Sequence, residues 1–571
     1  MDTSITVNKK KVHDLLADGV EHLFLIPEYQ RPYAWSIDQI DTLFDDLWTF
    51  AETQGGHERK EATYFLGSIV GFYNEKGEHE IIDGQQRITS LFLLLRAIYA
   101  RLENEDTKPA KNFMEQIQSA LWRADSITGD IDYSETFLRS RVVNDEEGNE
   151  VLAKILQSGK VEPDAVDNYS RNYTRFLDLL KQKSESAPLS MYDFYYAILN
   201  QAILLPVIAD TQDTALTIFT TLNDRGMPLS DADIFKATIY NRCDTEGKQR
   251  FIAQWKELTE RANEVGESVQ QLFTYYMFHL RAQDGDTRST TPGVRRYYSE
   301  WKGKRLQEPN LMGNLEKILV LRSAYQRKES IGEGVEAWTK DSSIKQSLDI
   351  LNSYPNEFCK YPVISYYLSH RDEPGFTEHF RAFLKKLISV LLLKYIETPT
   401  INAVKSTILK LDAEVIHSSH PTFAFTLASE SEIREKVKVP HNNIVRMILK
   451  ILAYKRQEEL LPVQWEVEHI LPQHWQDSYF PLHTPEIIRE HLEHIGNKLP
   501  FEKRLNIQAS DGYFQKKKAS YKESKIEITR EMVNSPLHDW KVENIIEADV
   551  RRTDELLAIL NEWQEEYGQT K

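Results

Sequence analysis

The stretch EIIDGQQRITSLFLLLRAIY at residues 80–99 predicts a strand, a sharp turn and a helix in immediate succession. Its apolar strand ends at Asp83, Gly84 permits the turn, and apolar residues at helical spacing begin near Gln85. The free N–H groups and the dipole of such a helix favour an anion such as phosphate. Arg87 can add a bidentate contact, and Asp83 can hold a metal or a ribose hydroxyl. Because no Walker lysine or GxGxxG accompanies the turn, simple helix capping remains an alternative interpretation.

The loop IPEYQRPYAW at residues 26–35 precedes this stretch. Its two prolines keep the backbone extended or turning, and its side chains supply stacking faces and planar hydrogen-bond donors. These side chains are Tyr29, Gln30, Arg31, Tyr33 and Trp35. The alternative interpretation is a surface loop that its aromatic residues pin to the protein.

A third motif, TIFTTLNDRGMPLSDADIFKATIY, covers residues 217–240. Asn223, Asp224 and Gly226 predict a turn between two helices. Ser230 can cap the second helix, with Asp233 near its N-terminus. Capping by itself explains Ser230 without any further function.

An acid–histidine pair occurs near the carboxy terminus, in EVEHILPQ at residues 466–473. Hydrolysis of a phosphodiester needs an activated water and groups that orient the water and the phosphate. His469 is the candidate general base because its ordinary pKa lies near neutral pH, and Glu468 is a hard oxygen ligand suited to Mg²⁺. Adjacent side chains of a strand point to opposite faces, so sharing one site requires a strand end or a bend.

The stretch GNKLPFEKRLN at residues 496–506 supplies two candidate amides, Asn497 and Asn506. An amide oxygen can bind Mg²⁺, and an amide can also hold the histidine loop through backbone contacts. Taken singly, each of these residues can equally be a capping or turn asparagine, and His469 a structural histidine. His474 is a second candidate for the base or a metal ligand.

Composition limits the class of protein. The chain has 571 residues, 41% of them hydrophobic and 11% aromatic, which predicts a folded protein of about three domains. Its two cysteines, Cys243 and Cys359, lie far apart, so we expect neither a disulfide framework nor a cysteine zinc site. This cysteine usage indicates a reducing cytoplasm. Without a signal-like start or an apolar run of about 18 residues, no membrane association is expected.

Charge is distributed unevenly along the chain. The formal net charge is −17, which argues against a protein that coats nucleic acid over its whole surface. Residues 496–525 nevertheless contain eight Lys or Arg against three acidic residues. The candidate catalytic motif therefore lies in or beside the most basic stretch of an acidic protein.

Three sections differ in their sequence pattern. Residues 1–245 mix strand-like runs with amphipathic helices, which indicates α/β or α+β structure. Residues 246–440 are almost wholly helical in pattern and predict an all-α spacer. Residues 441–571 contain helices around the EVEHILPQ stretch. The fold class predicted for the whole chain is α+β and predominantly helical.

The three amino-terminal motifs together carry a resemblance. YQRPYAW, FLGSIV with IIDGQQRITSL, and FTTLNDRGMPLSDADIFK resemble the N-terminal half of the GmrSD family, the type IV or modification-dependent restriction proteins, over residues 10–240. This resemblance implies a ParB/sulfiredoxin-like α/β domain that binds and hydrolyses a nucleoside triphosphate such as GTP. The implied nucleotide-binding residues are Asp83, Gly84, Gln85, Gln86 and Arg87. The residues implied either to line that pocket or to contact DNA are Tyr29, Gln30, Arg31 and Tyr33.

The carboxy-terminal motifs resemble the other half of the same family. EVEHILPQ, GNKL and an asparagine nine residues later look like an HNH nuclease, the ββα-metal fold. By this resemblance His469 activates the water, and Asn497 positions the histidine loop. The implied ligands of Mg²⁺ or Mn²⁺ are Glu468 and Asn506. FQKKKASYKES also matches the family, and its implied contacts to DNA phosphates are Lys516, Lys517 and Tyr521.

The two resemblances imply a single-chain anti-phage DNA endonuclease. Its predicted domains are a nucleotide-binding and DNA-sensing domain at 1–245, a helical spacer at 246–440 and an HNH nuclease domain at 441–571. The substrate implied is modified phage DNA, and a homodimer is a general expectation for restriction enzymes. Two alternatives are a nicking effector of a phosphorothioate-dependent defence system and a catalytically decayed DNA-binding partner in a defence complex.

Overall fold

The strand-like runs of the amino-terminal half form β-sheets in a computed structural model of the chain. The strands are β1 (Ile5–Val7), β2 (Lys10–Lys11), β3 (Phe24–Ile26), β4 (Tyr64–Tyr73), β5 (His79–Asp83), β6 (Trp122–Ala124), β7 (Ile131–Thr136), β8 (Leu138–Ser140) and β9 (Ala202–Ala209). Seven of them form one mixed sheet in the order β1-β9-β4-β5-β3-β8, with β2 also paired to β9. β4 runs parallel to β9 and antiparallel to β5, and β3 runs parallel to both β5 and β8. β6 and β7 form a separate hairpin.

The helices of this half surround one that is buried along nearly its whole length. They are α1 (Val12–Ala17), α2 (Ile37–Thr53), α3 (Gln85–Leu102), α4 (Lys108–Leu121), α5 (Glu146–Ser158), α6 (Asn168–Ser186), α7 (Met191–Tyr196), α8 (Gln212–Leu222) and α9 (Asp231–Arg242). The buried helix is α3, whose residues from Ile88 to Tyr99 are all buried and which packs against α4, α5 and α6. It begins directly after β5, so the predicted strand, turn and helix of residues 80–99 are confirmed.

The next section of the chain is helical, as its sequence pattern predicts. Its helices are α10 (Thr245–Glu264), α11 (Val269–Gln283), α12 (Val294–Gly303), α13 (Leu311–Tyr325), α14 (Ser342–Leu351), α15 (Lys360–His370), α16 (Phe376–Glu397), α17 (Asn402–Val415), α18 (Glu430–Lys438) and α19 (Asn442–Tyr454). The long apolar helix α16 packs against α14 and against the last helix of the chain. An apolar helix covered on several sides supplies a continuous core for this section.

The last section contains one two-stranded sheet among helices. Its elements are β10 (Trp465–His469), α20 (Pro485–Leu492), β11 (Lys498–Glu502), α21 (Lys503–Ala509), α22 (Phe514–Tyr521), α23 (Glu527–Arg530) and α24 (Val542–Gln569). β10 and β11 pair antiparallel, with His469 opposite Lys498. α21 follows β11 without a loop, so the second strand of this pair leads directly into a helix.

The structure describes residues 5–569 except 55, 58–60, 143–144, 223–229, 327–335, 401 and 476–482. The chain divides into two compact units, Met1–Lys256 and Glu257–Lys571, with the boundary inside α10. The predicted α+β, predominantly helical class is confirmed, whereas the three predicted domains and their fold identities stay predictions. Within the described ranges, every helix is too short or too polar to cross a lipid bilayer.

Candidate functional site

The candidate general base, His469, is the last residue of β10. Its imidazole Nε2 lies 3.2 Å from Glu493 Oε1, and 17% of its side chain is exposed. The other oxygen of the same carboxylate, Glu493 Oε2, lies 2.7 Å from Lys498 Nζ. The carboxylate therefore bridges two residues that are paired across the β10–β11 register. This arrangement leaves a partly exposed imidazole at a strand end, held by an acidic partner.

Electrostatics keep the imidazole neutral at neutral pH. Burial lowers the pKa of His469, Glu493 opposes that shift, and Lys498 reinforces it. Burial raises the pKa of Glu493, but Lys498 and His469 outweigh this effect and hold the pKa below its ordinary value. In the tautomer whose Nε2–H donates to the ionised Glu493, the His469 Nδ1 carries the lone pair. That nitrogen has the chemistry of a general base.

Asn497 holds the loop that follows His469. Its side-chain Oδ1 accepts the Leu471 N–H at 2.7 Å, and its Nδ2 donates to the carbonyls of Leu471 and Leu492 at 3.1 and 3.0 Å. Its own carbonyl accepts the Ile470 N–H at 2.9 Å. With its side chain completely buried, Asn497 contacts backbone on both sides of the loop. This geometry suits the predicted role of loop support, which stays a prediction.

The glycine of the GNKL motif allows the carboxy-terminal helix to approach the site. A Cβ added to Gly496 would lie 2.3 Å from the Ile545 carbonyl of α24. Asp549, one turn further along α24, accepts the Gly496 N–H at 2.7 Å and lies 2.6 Å from His494 Nδ1. Only glycine can occupy this position without moving the helix.

Arg552 of α24 adds a second tie to the same segment. Its Nη1 donates to the carbonyls of Ile495 and Lys498. Burial is the main reason that the pKa of this guanidinium is lowered, to about 10, so it still carries its charge at neutral pH. Asp549 and Arg552 thus fix both ends of the segment that carries Asn497 and Lys498. The sequence patterns did not identify either residue, since α24 reads as an ordinary charged amphipathic helix.

Glu468 points to the opposite face of β10 from His469, as strand alternation requires. Its buried carboxylate Oε1 lies 2.7 Å from Lys517 Nζ and accepts the Tyr521 hydroxyl at 2.8 Å. Burial raises the pKa of Glu468, and Lys517 and Tyr521 oppose that shift. Lys517 Nζ also donates to the His469 carbonyl at 2.6 Å. The acidic residue of the motif is therefore joined to α22 in the interior.

The three predicted phosphate contacts have different environments. Lys517 and Tyr521 are 1% and 0% exposed and are joined to Glu468. Such burial leaves no path from either side chain to a DNA phosphate in this conformation. Lys516, one residue earlier on α22, is exposed and can reach solvent. Of the three, only Lys516 has the exposure that a phosphate contact needs.

The predicted metal ligands Glu468 and Asn506 have different hydrogen-bond partners. Asn506 on α21 has its Nδ2 3.5 Å from Glu466 Oε2, whereas the Glu468 carboxylate is occupied by Lys517 and Tyr521. The described His, Cys, Asp and Glu side chains form no group of three that could hold a metal. Mg²⁺ commonly takes one or two protein ligands and fills its shell with water and phosphate oxygens. Asn506 fits such a site, and Glu468 as arranged does not.

The amino-terminal motifs form one structural unit. Gln86, in the first turn of α3, accepts the N–H groups of Ala34 and Trp35 at 2.7 and 3.2 Å and donates to the Pro32 carbonyl. Gln30 donates back to the Ile82 carbonyl at 2.9 Å, just before the DGQQR turn. Hydrogen bonds from Gln30 of the loop and Gln86 of the helix therefore hold the YQRPYAW loop against the start of α3.

The two tyrosines of the loop are buried instead of facing solvent. Tyr33 lies 2.6 Å from Ser90 Oγ, accepts a hydrogen bond from Asn172, and has its pKa raised to about 12 by burial. Tyr29 donates its hydroxyl to Glu80, and burial raises its pKa well above the ordinary value. Neither ring is available to DNA in this conformation. Both predicted roles of these tyrosines, lining a nucleotide pocket or contacting DNA, stay predictions.

Arg87 lies across β4 at a glycine of the FLGSIV motif. Its Nη1 donates to the Ser68 carbonyl at 2.9 Å, and a Cβ on Gly67 would lie 2.9 Å from the guanidinium. Gly67 has φ +113°, a conformation that side-chain-bearing residues rarely adopt. Asp83 is mostly buried, which raises its pKa, while the Gly84 N–H and the positive charge of Arg87 oppose this shift. Gly67 is thus a residue of this site that the sequence patterns did not single out.

Buried polar atoms without partners gather at the same turn. Among the described residues, Gln30 Oε1, Arg31 Nε and Gln85 Oε1 have no hydrogen-bond partner. Gln85 also donates to the Arg31 carbonyl at 3.3 Å, which places two of these side chains together. Unpaired buried polar groups are costly, so their concentration here indicates an absent ligand or water. Of these three atoms, only the Arg31 Nε–H can donate to a nucleotide phosphate, whereas the two glutamine oxygens need a donor such as a hydroxyl group or water.

The third motif is described only in part. Ser230 caps α9 and accepts the Asp233 N–H at 3.2 Å, so the predicted cap is confirmed. The predicted turn residues Asn223, Asp224 and Gly226 lie outside the described residues. Lys236 of α9 donates to the Glu28 carbonyl, beside the YQRPYAW loop, and burial lowers its pKa to about 8.

Comparison with known proteins identifies both halves of the chain. The family model described as the N-terminal domain of the GmrSD restriction endonuclease matches residues 12–240. The model for the C-terminal domain of GmrSD restriction endonucleases matches residues 423–559. A search of curated proteins found no match. The two matched ranges contain the amino-terminal motifs and the His469 site respectively.

Proposed function

Since the chain belongs to the GmrSD restriction endonucleases, enzymes that cleave DNA in defence, we propose that its carboxy-terminal part cuts DNA at an HNH-type site centred on His469. The amino-terminal part binds and hydrolyses a nucleoside triphosphate and senses modified phage DNA. The single observation that supports the nuclease centre best is His469 at the end of β10, with Glu493 on its Nε2. The antiparallel pair of β10 and β11, followed directly by α21, suits a ββα-metal fold.

In this mechanism the neutral imidazole of His469 removes a proton from the attacking water. Glu493 orients the ring and stabilises the imidazolium that forms, because its carboxylate lies against Nε2. Asn497 keeps the following loop in place, and Lys498 holds the carboxylate. Asn506 would hold the metal ion, Mg²⁺ or Mn²⁺, and the bound ion would supply positive charge to the scissile phosphate.

At the amino-terminal site, the start of α3 and Arg87 receive the phosphates. The unpaired Arg31 Nε–H donates to a phosphate as well, and the unpaired Gln30 and Gln85 oxygens accept from a hydroxyl group of the nucleotide. Because Gln86 joins this turn to the YQRPYAW loop, a bound nucleotide can order both motifs together. Control by nucleotide would allow the nuclease to spare host DNA.

The proposal is tested by cleavage of unmodified, methylated, glucosylated and phosphorothioated DNA, each with and without Mg²⁺ and each of the four NTPs. We expect cutting of one modified class that requires the metal and is changed by at least one NTP. Equal cleavage of that DNA with and without each NTP would contradict the proposed control of the nuclease by nucleotide. Nicking stimulated by phosphorothioate would instead favour the alternative phosphorothioate-dependent effector.

The pH dependence of cleavage tests the role of Glu493. Burial places the pKa of His469 below its ordinary value, so the base is neutral and active down to pH values below about 6.5. Below the lowered pKa the imidazole is protonated and the rate falls. Glu493→Gln removes the charge that raises this pKa, so we expect the acid limb of kcat/KM to move to lower pH.

The matched variant Glu493→Ala removes the orienting oxygen as well as the charge. We expect it to lower the rate by about 10- to 100-fold at all pH values, the usual effect of losing such a partner. An acid limb that stays in place in Glu493→Gln would show that His469 does not titrate in this profile.

A further inference from the structure

A cleft of about 590 Å³ lies along the carboxy-terminal helix α24, between this helix and the chain segment 528–540. Its apolar wall includes Met532, Pro536, Leu537 and Trp540. The volume is within the range of cavities that hold small molecules, which are commonly apolar with a few polar groups. The polar groups of this cleft therefore indicate what kind of molecule it can bind.

Trp540 gives the cleft an unpaired hydrogen-bond donor. This residue is only 4% exposed, and among the described residues its indole Nε1 has no hydrogen-bond partner. The ring packs against Phe514, with 5.4 Å between the ring centroids. A buried N–H without an acceptor is costly, and the indole nitrogen can only donate. A ligand in the cleft can provide the acceptor that this N–H lacks.

Three arginines line the same cleft, and their charges are balanced differently. Arg456 is paired with two carboxylates of the cleft, Glu531 at 2.8 Å and Glu555 at 3.1 Å. Burial lowers the pKa of Arg552, and the positive charge of Arg551 lowers it further. Arg551 itself is exposed. Because neighbouring guanidinium groups repel each other, an anion between Arg551 and Arg552 would be stabilised by both.

The charge and shape of the cleft suit a phosphate monoester. Arg551 and Arg552 contribute two positive charges, and the exposed Glu547 contributes one negative charge at the solvent side. A phosphate monoester carries about −1.5 to −2 charges at pH 7 and has three acceptor oxygens for guanidinium and indole N–H groups. A carboxylate carries only one charge. The organic part of the ester would contact the apolar wall.

We propose that this cleft binds a small organic phosphate monoester and that its occupancy controls the nuclease. Arg552 connects the two sites, because its Nη1 donates to the carbonyls of Ile495 and Lys498. Lys498 in turn holds the Glu493 carboxylate, which lies against His469. A ligand that binds one arrangement of Arg552 more tightly also favours the arrangement of the segment attached to it. Binding is independent of the nuclease proposed above, whereas the control of cleavage rests on it.

The binding test is isothermal titration calorimetry of the full chain with phenyl phosphate. Inorganic phosphate lacks the apolar part and benzoate lacks the second charge, so we expect both to bind more weakly. Arg551→Met and Trp540→Phe should each weaken phenyl phosphate by about 10-fold, the value of one hydrogen bond to a charged group. Glu547→Gln removes a repelling carboxylate and should strengthen binding. Glu565→Gln, an exposed glutamate of α24 outside the cleft, is the matched control and should leave the affinity unchanged.

The same titrations contain the results that would overturn the site. No binding of phenyl phosphate, or equal binding by the unaltered protein and the cleft variants, would exclude a phosphate site in this cleft. Tighter binding of benzoate than of phenyl phosphate would exclude the phosphate monoester as the ligand class. Thermal unfolding checks that each variant is folded. Arg551 and Glu547 are exposed, so their variants test the site even if Trp540→Phe disturbs the core.

Control of the nuclease is measured as the rate of DNA cleavage with and without saturating phenyl phosphate. We expect a change of at least about 5-fold, the lower end of allosteric coupling, and its loss in Arg551→Met. An unchanged rate while phenyl phosphate is bound would overturn the control and keep the binding site. If the unaltered protein cuts no DNA in any condition, the proposed nuclease and its control both fail, whereas calorimetry still decides whether the cleft binds a phosphate.

Discussion

His469→Ala is expected to lower the rate of DNA cleavage by at least about 100-fold, the usual cost of removing a general base. The methyl group cannot take a proton from water, and the Nε2 contact to Glu493 is lost with the ring. His469 is at the end of β10 and part of its side chain is exposed, so its truncation leaves the core intact. The measurement is single-turnover cleavage at saturating protein, with DNA binding and thermal unfolding followed in parallel.

His474→Ala is the matched control for this prediction. His474 lies in the same loop and is exposed, and it is the second candidate base in the sequence. We expect it to keep its cleavage rate within a few-fold of the unaltered protein. Loss of activity in His474→Ala together with full activity in His469→Ala would identify His474 as the base instead. A His469→Ala protein that binds DNA and still cuts normally would exclude this site altogether.

Lys517→Met is expected to destabilise the protein by about 3–5 kcal/mol, the usual cost of leaving a buried charge unpaired. Lys517 is the cation against the buried Glu468 carboxylate, and it also donates to the His469 carbonyl. Removing it leaves Glu468 with the Tyr521 hydroxyl as its remaining side-chain partner among the described residues. Chemical denaturation followed by circular dichroism measures the loss, and cleavage should fall with it.

The neighbouring lysine gives a control that separates burial from charge. Lys516→Met removes the same charge one residue earlier from an exposed position, so its effect on stability should stay within about 0.5 kcal/mol. If Lys516 contacts a DNA phosphate, this variant should instead weaken DNA binding and reduce its dependence on salt. Equal destabilisation by the two variants would contradict the buried pair.

The stability loss in Lys517→Met should also depend on pH and on Glu468. Burial already raises the pKa of Glu468, and loss of Lys517 raises it further, so acid protonates the carboxylate and reduces the penalty. The double variant Glu468→Gln/Lys517→Met removes both charges and should recover part of the stability. Recovered stability without recovered cleavage would assign Glu468 or Lys517 a role at the reaction centre.

Much of the local structure could be predicted because its causes are local. Alternation and helical spacing place YFLGSIVGFY in β4 and FRAFLKKLISVLLLKYIE in α16, and the strand, turn and helix at Gly84 follow from neighbouring residues. The family was also recognisable from short motifs, and the matches over 12–240 and 423–559 confirm it. Such features need no knowledge of distant contacts.

The partners of the site residues could not be predicted in this way. Strand alternation indicates that Glu468 and His469 diverge, but it does not say that α22 covers one face and Glu493 the other. The interpretation of Lys517 and Tyr521 as phosphate contacts rested on the resemblance of FQKKKASYKES to the family, whereas packing places both beside Glu468 in the interior. Charge in a sequence does not reveal burial.

The sequence by itself determined the elements and the family, because these depend on short-range pattern. Only the tertiary structure decided which side chains meet. Asp549 and Arg552 reach the segment that carries Asn497 and Lys498 from more than 50 residues away, through a close approach that Gly496 alone permits. The Arg87 guanidinium of α3 likewise lies over Gly67 of β4. Contacts between distant segments depend on how whole elements pack, and no local pattern encodes that packing.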